Sequence, residues 1–172
     1  TEDGIEVKVH PMLIPNNHPL ANVNDAFNAV FVHGKAMDDA MFMGRGAGQM
    51  PTASAVVGDI IDVCRNIVHD SCGRIGCCCY KNLEVKDITD TKSKFFLRLE
   101  VADKQGVLAN IASVLGNSGV SIAQVVQKSG KDGVAELVII TAEVLEKNFN
   151  DAMAVFKGLS AVKNIAGVIR VY

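Results

Sequence analysis

The amino-acid sequence predicts an α+β protein whose second half is a βαββαβ sandwich. Three features carry that reading. Over 95–172, apolar residues alternate with a period of two and then recur with a helical period, in a regular succession punctuated by glycines. The first half holds both periodicities in a less regular order, with three of the four prolines gathered in HPMLIPNNHPLANV (10–23). Between the halves, KDITDTKSK (86–94) is polar and aperiodic. A linker is therefore expected at 71–93, between a first region at 1–70 and a second at 94–172.

Taken in order, IEVKV (5–9) alternates as a strand does, and 10–23 reads as an extended connection. FNAVFVHG (27–34) and DAMFMG (39–44) predict a hairpin turning around Gly34 and Lys35. GRGAGQM (44–50) is a glycine-rich turn, and Pro51 opens a helix reaching about Val68, since a first helical position has no N–H partner to lose. Ala53, Val56, Val57, Ile60, Ile61, Cys64, Ile67 and Val68 form one stripe on that helix, which is expected to lie against a sheet or a neighbouring subunit.

In the second half, FFLRLEVA (95–102) is a strand. The helix from Gly106 to about Asn117 sets Val107, Leu108, Ile111, Ala112 and Leu115 on one face and stops at the glycines of GNSGV (116–120). VSIAQVVQK (120–128) and VAELVIITAE (134–143) are strands joined by SGKDG (129–133). Leu145, Phe149, Ala152, Met153, Phe156 and Leu159 mark a second helix, and AGVIRVY (166–172) is the last strand. This order is that of the ferredoxin-like sandwich.

Composition excludes several classes of function. Lys and Arg total 17 against 19 Asp and Glu, so no global positive field attracts nucleic acid or an anionic membrane. A base-stacking sheet would need aromatics on its central strands, and 134–143 has none. The apolar runs fall short of the ~20 residues that span a bilayer, and 1–20 is too polar for a signal peptide. A soluble, cytoplasmic protein is expected. Cys77, Cys78 and Cys79 are consecutive, a poor disulfide framework and not a C-x-x-C metal spacing, so no metal site is expected and the role of the run stays open. His10, His18, His33 and His69 are scattered as turn or surface residues.

The corner VADKQGVLANI (101–111) admits two readings. In one, Asp103 caps the helix and Gly106 makes the turn. In the other, the corner holds a small zwitterion: helix N–H groups near Gly106 meet a carboxylate, Asp103 accepts from an ammonium, and Gly106 leaves the backbone approachable.

LRLEVADKQGVLANIASVLGNSGVSI resembles the opening of ACT domains, the regulatory modules of amino-acid metabolism, with their strand, D-x-P-G-V-L-A corner, helix and I-S-I strand. The resemblance covers 94–172, with Gln105 where the family has Pro. It implies an amino-acid effector held by Asp103, Gln105, Gly106, Val107 and Leu108, with Ser121, Ile122, Gln124 and Gln127 opposite. It also implies self-association. In the first half, NAVFVHGKAMDDAMFM followed by GRGAGQMPTASAVVGDI resembles the end of the catalytic region of homoserine dehydrogenases, with Met43 in place of a Tyr.

That second resemblance implies NAD(P)-dependent interconversion of aspartate semialdehyde and homoserine, on the route to threonine and methionine. Threonine is then the expected effector. It further implies that Gly46, Ala47, Gly48, Pro51 and Thr52 close over the nicotinamide end of the cofactor. GRGAGQ is not itself a dinucleotide fingerprint, because its spacing differs from G-x-G-x-x-G and no second parallel strand with a ribose-binding acid follows. Asp90 and Lys94 have the D-x-x-x-K spacing of the family's proton-transfer pair but stand in the polar linker, so no catalytic role is carried onto them. The chain begins with Thr1 and enters at once on strand-like alternation, as a piece of a longer polypeptide would. It is expected to comprise the end of the substrate and dimerisation domain, a linker and the regulatory module. By itself it is expected to be inactive and to hold no cofactor. The alternative is a free-standing amino-acid sensor without catalysis.

Overall fold

The structure, a computed structural model, describes residues 4–74, 76, 82–128, 130 and 132–172. Its contacts divide the chain into two compact units. One is Ile14–Asn82, and the other joins the residues before Ile14 to Leu83–Tyr172.

The larger unit is built on β4 (Lys92–Ala102), α2 (Val107–Asn117), β5 (Ile122–Lys128), β6 (Val134–Thr141), β7 (Val144–Leu145), α3 (Glu146–Gly158) and β8 (Val162–Val171), with β1 (Met12–Leu13) added from the N-terminal side. The sheet runs β1-β8-β4-β6-β5, with β7 pairing β4. The four long strands are antiparallel neighbours, while β1 lies parallel to β8. Phe95, Leu97, Leu99 and Val101 of β4 and Ala135, Leu137 and Ile139 of β6 point one way, as strand alternation requires. They meet Val107, Ile111 and Leu115 of α2 and Phe149, Ala152 and Phe156 of α3 in one buried cluster. Each such large apolar side chain contributes roughly 1.5–3 kcal/mol of burial. Gly119, at φ 73, ends α2 in the left-handed conformation, and the Val120 N–H returns to the Leu115 carbonyl.

Several boundaries differ from those read in the sequence. The last strand begins at Val162 rather than 166, and β5 begins at Ile122 because Val120 turns into the core. Leu145 belongs to the short β7, ahead of α3 rather than inside it. IEVKV is not a ladder strand: Ile5 makes an isolated parallel bridge to Val85. Residues before Ile14 therefore belong with the second unit, although the sequence groups them with 1–70, and 71–93 contains this bridge and a 3-10 turn at Ile88–Asp90. Ser129, Lys131 and Cys77–Cys79 lie outside the described residues.

In the smaller unit, β2 (Phe27–Gly34) and β3 (Asp38–Arg45) pair in full register from Phe27↔Arg45 to Gly34↔Asp38, as the hairpin pattern predicts. Helix α1 runs Gln49–Val68, two residues earlier than expected, so Pro51 stands third in the helix, still within the first turn where its missing N–H costs nothing. Its apolar stripe lies against nothing within the unit: no residue of α1 is buried. A two-stranded hairpin supplies no second layer wide enough to cover it. Among the described residues of this unit His18 is buried, unlike the turn or surface position expected of it, accepting from the Leu20 N–H and lying 4.8 Å from the Phe31 ring.

Candidate functional site

The corner between β4 and α2 encloses a cavity of about 310 Å³. Its walls come from Val101 and Ala102 at the end of β4, Asp103–Leu108 through the turn, and Gln127 and Leu137 from β5 and β6. Local chemistry sets this shape. The Asp103 N–H bonds to the Gly133 carbonyl at 2.8 Å and the Ala102 N–H to the Ala161 carbonyl at 2.8 Å, which pins the strand end. Gly106 then takes φ 84, a left-handed value that an L side chain adopts only at a cost, and stands as the N-cap of α2.

The helix start carries no side-chain cap. Asp103 therefore does not play the capping role that one reading of the sequence gave it. Its carboxylate is exposed on the cavity wall, beside the exposed Lys104 and Gln105. A Cβ added at Gly106 would meet nothing within 4 Å, so the space over this backbone is open. The corner thus offers an anionic group, a cationic group, two carboxamides and the N–H groups of a helix start around one small space. That set can meet both charges of a zwitterion.

Of the residues singled out in the sequence, the cavity brings together Asp103, Gln105, Gly106, Val107, Leu108 and Gln127. Ser121, Ile122 and Gln124 are not among its walls. The register explains the split: Gln127 pairs with the buried Leu137, whereas Gln124 pairs with Ile140 on the half-exposed side of β6, after an irregularity between Ile122 and Gln124. Ile122 instead lies against the core, and the Ser121 carbonyl accepts from the Ala142 N–H. Lys104 is a wall residue the sequence reading passed over, although its place inside the D-K-Q-G corner was signal enough.

The glycine-rich turn lies between β3 and α1. A Cβ on Gly46 would fall 1.3 Å from the Asn28 Nδ2, and Gly48 holds φ 132, so both glycines have steric reasons to be there. Gly46 lines a shallow, mainly apolar cavity of about 290 Å³ with Val30, Phe42 and Met43, while Ala47, Gly48, Pro51 and Thr52 do not. Asp90 lies in the 3-10 turn and Lys94 in β4, where its Nζ donates to the Tyr172 carbonyl.

One charged cluster was not legible in the sequence. Glu146, 2% exposed at the first position of α3, accepts from Arg170 Nε at 2.6 Å and Nη2 at 2.8 Å, and from Ser93 Oγ at 2.9 Å. Burial pushes its carboxyl up, but the Arg170 and Ser93 hydrogen bonds and the charges of Arg170 and Lys8 hold it below its ordinary value. Arg170 also lies over Phe95, which stacks on Phe149 at 3.7 Å. The partners are far apart in sequence, so no spacing rule could find them.

Comparison with known proteins fits this architecture. A homoserine dehydrogenase family model matches residues 2–61, and an ACT domain model matches 89–170. Homoserine dehydrogenase of Corynebacterium glutamicum is 41% identical over 170 residues, aligning 98% of this chain with 38% of that protein. This chain belongs to the homoserine dehydrogenase family. The Bacillus subtilis homoserine dehydrogenase is 39% identical over 171 residues, again covering 97% of this chain and 39% of the relative. A crystal structure of a homoserine dehydrogenase from Thiobacillus denitrificans superposes with a TM-score of 0.88 at 37% identity, covering all of this chain and 40% of that one. The Staphylococcus aureus homoserine dehydrogenase at pH 6.0 gives 0.53 at 27% identity over 94% of this chain. The chain thus spans about two fifths of the length of its homoserine dehydrogenase relatives and corresponds to their C-terminal part. The βαββαβ unit is the ACT domain. Among the described residues no helix is long and apolar enough to cross a membrane.

Proposed function

We propose that this chain forms the C-terminal part of a homoserine dehydrogenase, an oxidoreductase interconverting aspartate semialdehyde and homoserine with NAD(P), and that its ACT domain senses an amino acid of the same pathway. Threonine is the effector we favour. The observation that carries the regulatory reading is the β4–α2 cavity, where Asp103, Lys104, Gln105 and Gln127 surround an uncapped helix start. The ligand carboxylate would meet the N–H groups beyond Gly106 and the Lys104 ammonium, its ammonium would face Asp103, and its hydroxyl would reach Gln105 or Gln127. Gly46, Ala47, Gly48, Pro51 and Thr52 would approach the nicotinamide end of a cofactor whose pyrophosphate is held elsewhere, because the turn lacks a pyrophosphate-binding spacing. We therefore expect this chain by itself to bind NADPH weakly and to turn nothing over. Tight NADPH binding by the purified chain would overturn this assignment of parts.

The experiment for the effector is calorimetric titration of threonine, methionine, lysine and isoleucine into the folded chain. Heat from threonine above the other three supports the reading. No heat from any of them at millimolar concentration returns the corner to a plain structural turn.

A further inference from the structure

Residues 4–13 dock in an unusual way, pairing at Ile5 with the segment 84–86 and reaching the ACT domain through Lys8, Met12 and Leu13. Ile5, Val7 and Val9 point outward, with Val9 fully exposed, while Lys8 turns toward β4 and Glu6 pairs with Lys8 and Lys86. A strand docked by hydrophobic burial would do the reverse. What holds it is polar. Lys8 Nζ, with its side chain 15% exposed, donates to the Lys92 carbonyl at 3.4 Å and to Ser93 Oγ at 3.3 Å, and its charge acts on Glu146. Ile5 exchanges backbone bonds with Glu84 and Lys86, and the Tyr172 N–H donates to the Leu13 carbonyl at 2.9 Å. The paired part is short, since β1 has two residues, both exposed.

The domain beneath is complete without this segment. Among the described residues, the buried apolar side chains of the core cluster run from Phe95 to Phe156 and include none of residues 4–13. A layer that adds hydrogen bonds but almost no apolar burial opens at a lower free energy than the core it covers. We propose that residues 4–13 are a releasable strap: they dock and leave as one unit, fastened by Lys8, without unfolding the βαββαβ core. Release bares the backbone edge of β8 at Arg170–Tyr172, a strand-addition edge that the docked strap closes. It also removes the Lys8 charge from the Glu146–Arg170 pair.

Hydrogen exchange on the whole chain, resolved to single amides, tests this. In the unsubstituted chain, the amides of Ile5, Lys86 and Tyr172 should open together, faster than those of Leu97, Leu99, Leu137 and Ile139, and with little dependence on dilute denaturant because little surface is exposed. Lys8→Met should speed the first set about tenfold by removing charge-assisted hydrogen bonds, leave the second set unchanged, and be reversed in Lys8→Arg. One common opening for both sets in the unsubstituted chain would show that the strap is integral to the core and overturn the proposal. Strap rates indifferent to Lys8→Met would equally overturn it, by showing that Lys8 fastens nothing.

Discussion

Helices α1 and α2 both carry apolar stripes at helical spacing, yet α2 buries Val107, Ile111 and Leu115 while α1 buries nothing. Ile60 of α1 remains 56% exposed, against 0% for Ile111. The difference does not lie in the helices. It lies in what each is given to cover: α2 and α3 meet a sheet whose central strands β4 and β6 present Phe95, Leu97, Leu99, Val101, Ala135, Leu137 and Ile139 on one face, whereas the unit holding α1 has a two-stranded hairpin. Periodicity tells which side of an element is apolar. Only the arrangement of other elements tells whether that side is filled.

The comparison predicts its own largest effect. Phe156, fully buried between α3 and the sheet, should lose about 3–5 kcal/mol of stability on replacement by Ala, since a cavity is left that the surrounding core cannot close. Denaturant unfolding of the ACT domain signal measures it. A loss under about 1 kcal/mol would mean that the core is far more plastic than its packing implies.

Next in size is the buried pair. Glu146→Ala leaves Arg170 facing a half-buried gap and should cost about 3 kcal/mol, at the lower end for breaking a buried ion pair because the Arg170 side chain keeps 22% exposure. The pH dependence has a definite sign. Glu146 titrates in the folded state below its unfolded value, so its contribution is complete above the ordinary carboxylate range and disappears as pH falls through the lowered folded value. Between neutral pH and acid, stability should therefore fall less steeply in Glu146→Gln than in the unsubstituted chain. Parallel acid-unfolding curves for the two would show that Glu146 carries none of the acid sensitivity.

The corner comes third and separates the chemistry of the site from that of the fold. If the corner holds threonine as proposed, Asp103→Ala should weaken its binding by about 1–3 kcal/mol by leaving the ligand ammonium without its partner, with stability almost unchanged because Asp103 is exposed and caps nothing. Gly106→Val should lose more affinity, and stability too, since a β-branched residue would be forced to φ 84. Calorimetry with threonine and a thermal melt on each variant distinguish the two losses. Equal loss of stability in both variants would assign Asp103 to the turn and not to the ligand.

What could be read in the sequence follows the same division. The hairpin, the two helices of the ACT domain and its four long strands are each declared by local pattern, because a strand or helix writes its buried face within ten residues of chain. The corner was legible for the same reason: Asp103, Gln105, Gly106, Val107 and Leu108 are neighbours in sequence and share one cavity. Selection from the facing strand was not, since a register irregularity between Ile122 and Gln124 decides that Gln127 enters the cavity and Gln124 does not. Nor was the placement of IEVKV, whose alternation suits a strand but whose apolar side faces out. Glu146, Arg170, Ser93 and Lys8 meet only because the chain returns to one end of the sheet from four places.

The smallest expected effect returns to α1. Ile60→Ser and Ile61→Ser remove apolar groups that are already half exposed, so each should change stability by less than about 0.5 kcal/mol if the helix face stays open in solution. Around Ile60, Ile61, Cys64 and Val68 there is nevertheless an apolar hollow of about 270 Å³, the kind of exposed apolar surface that marks a contact site. Self-association through this unit, as well as through the ACT domain, is therefore our expectation, and it converts a small stability effect into a concentration-dependent one. Sedimentation velocity on the unsubstituted chain and on Ile60→Ser at rising concentration reads the difference. A lighter species for Ile60→Ser places α1 in the interface. Identical profiles with the unsubstituted chain already associated would place the contact on the ACT domain instead, where the exposed Val125 and Val126 of the edge strand β5 are the next residues to change.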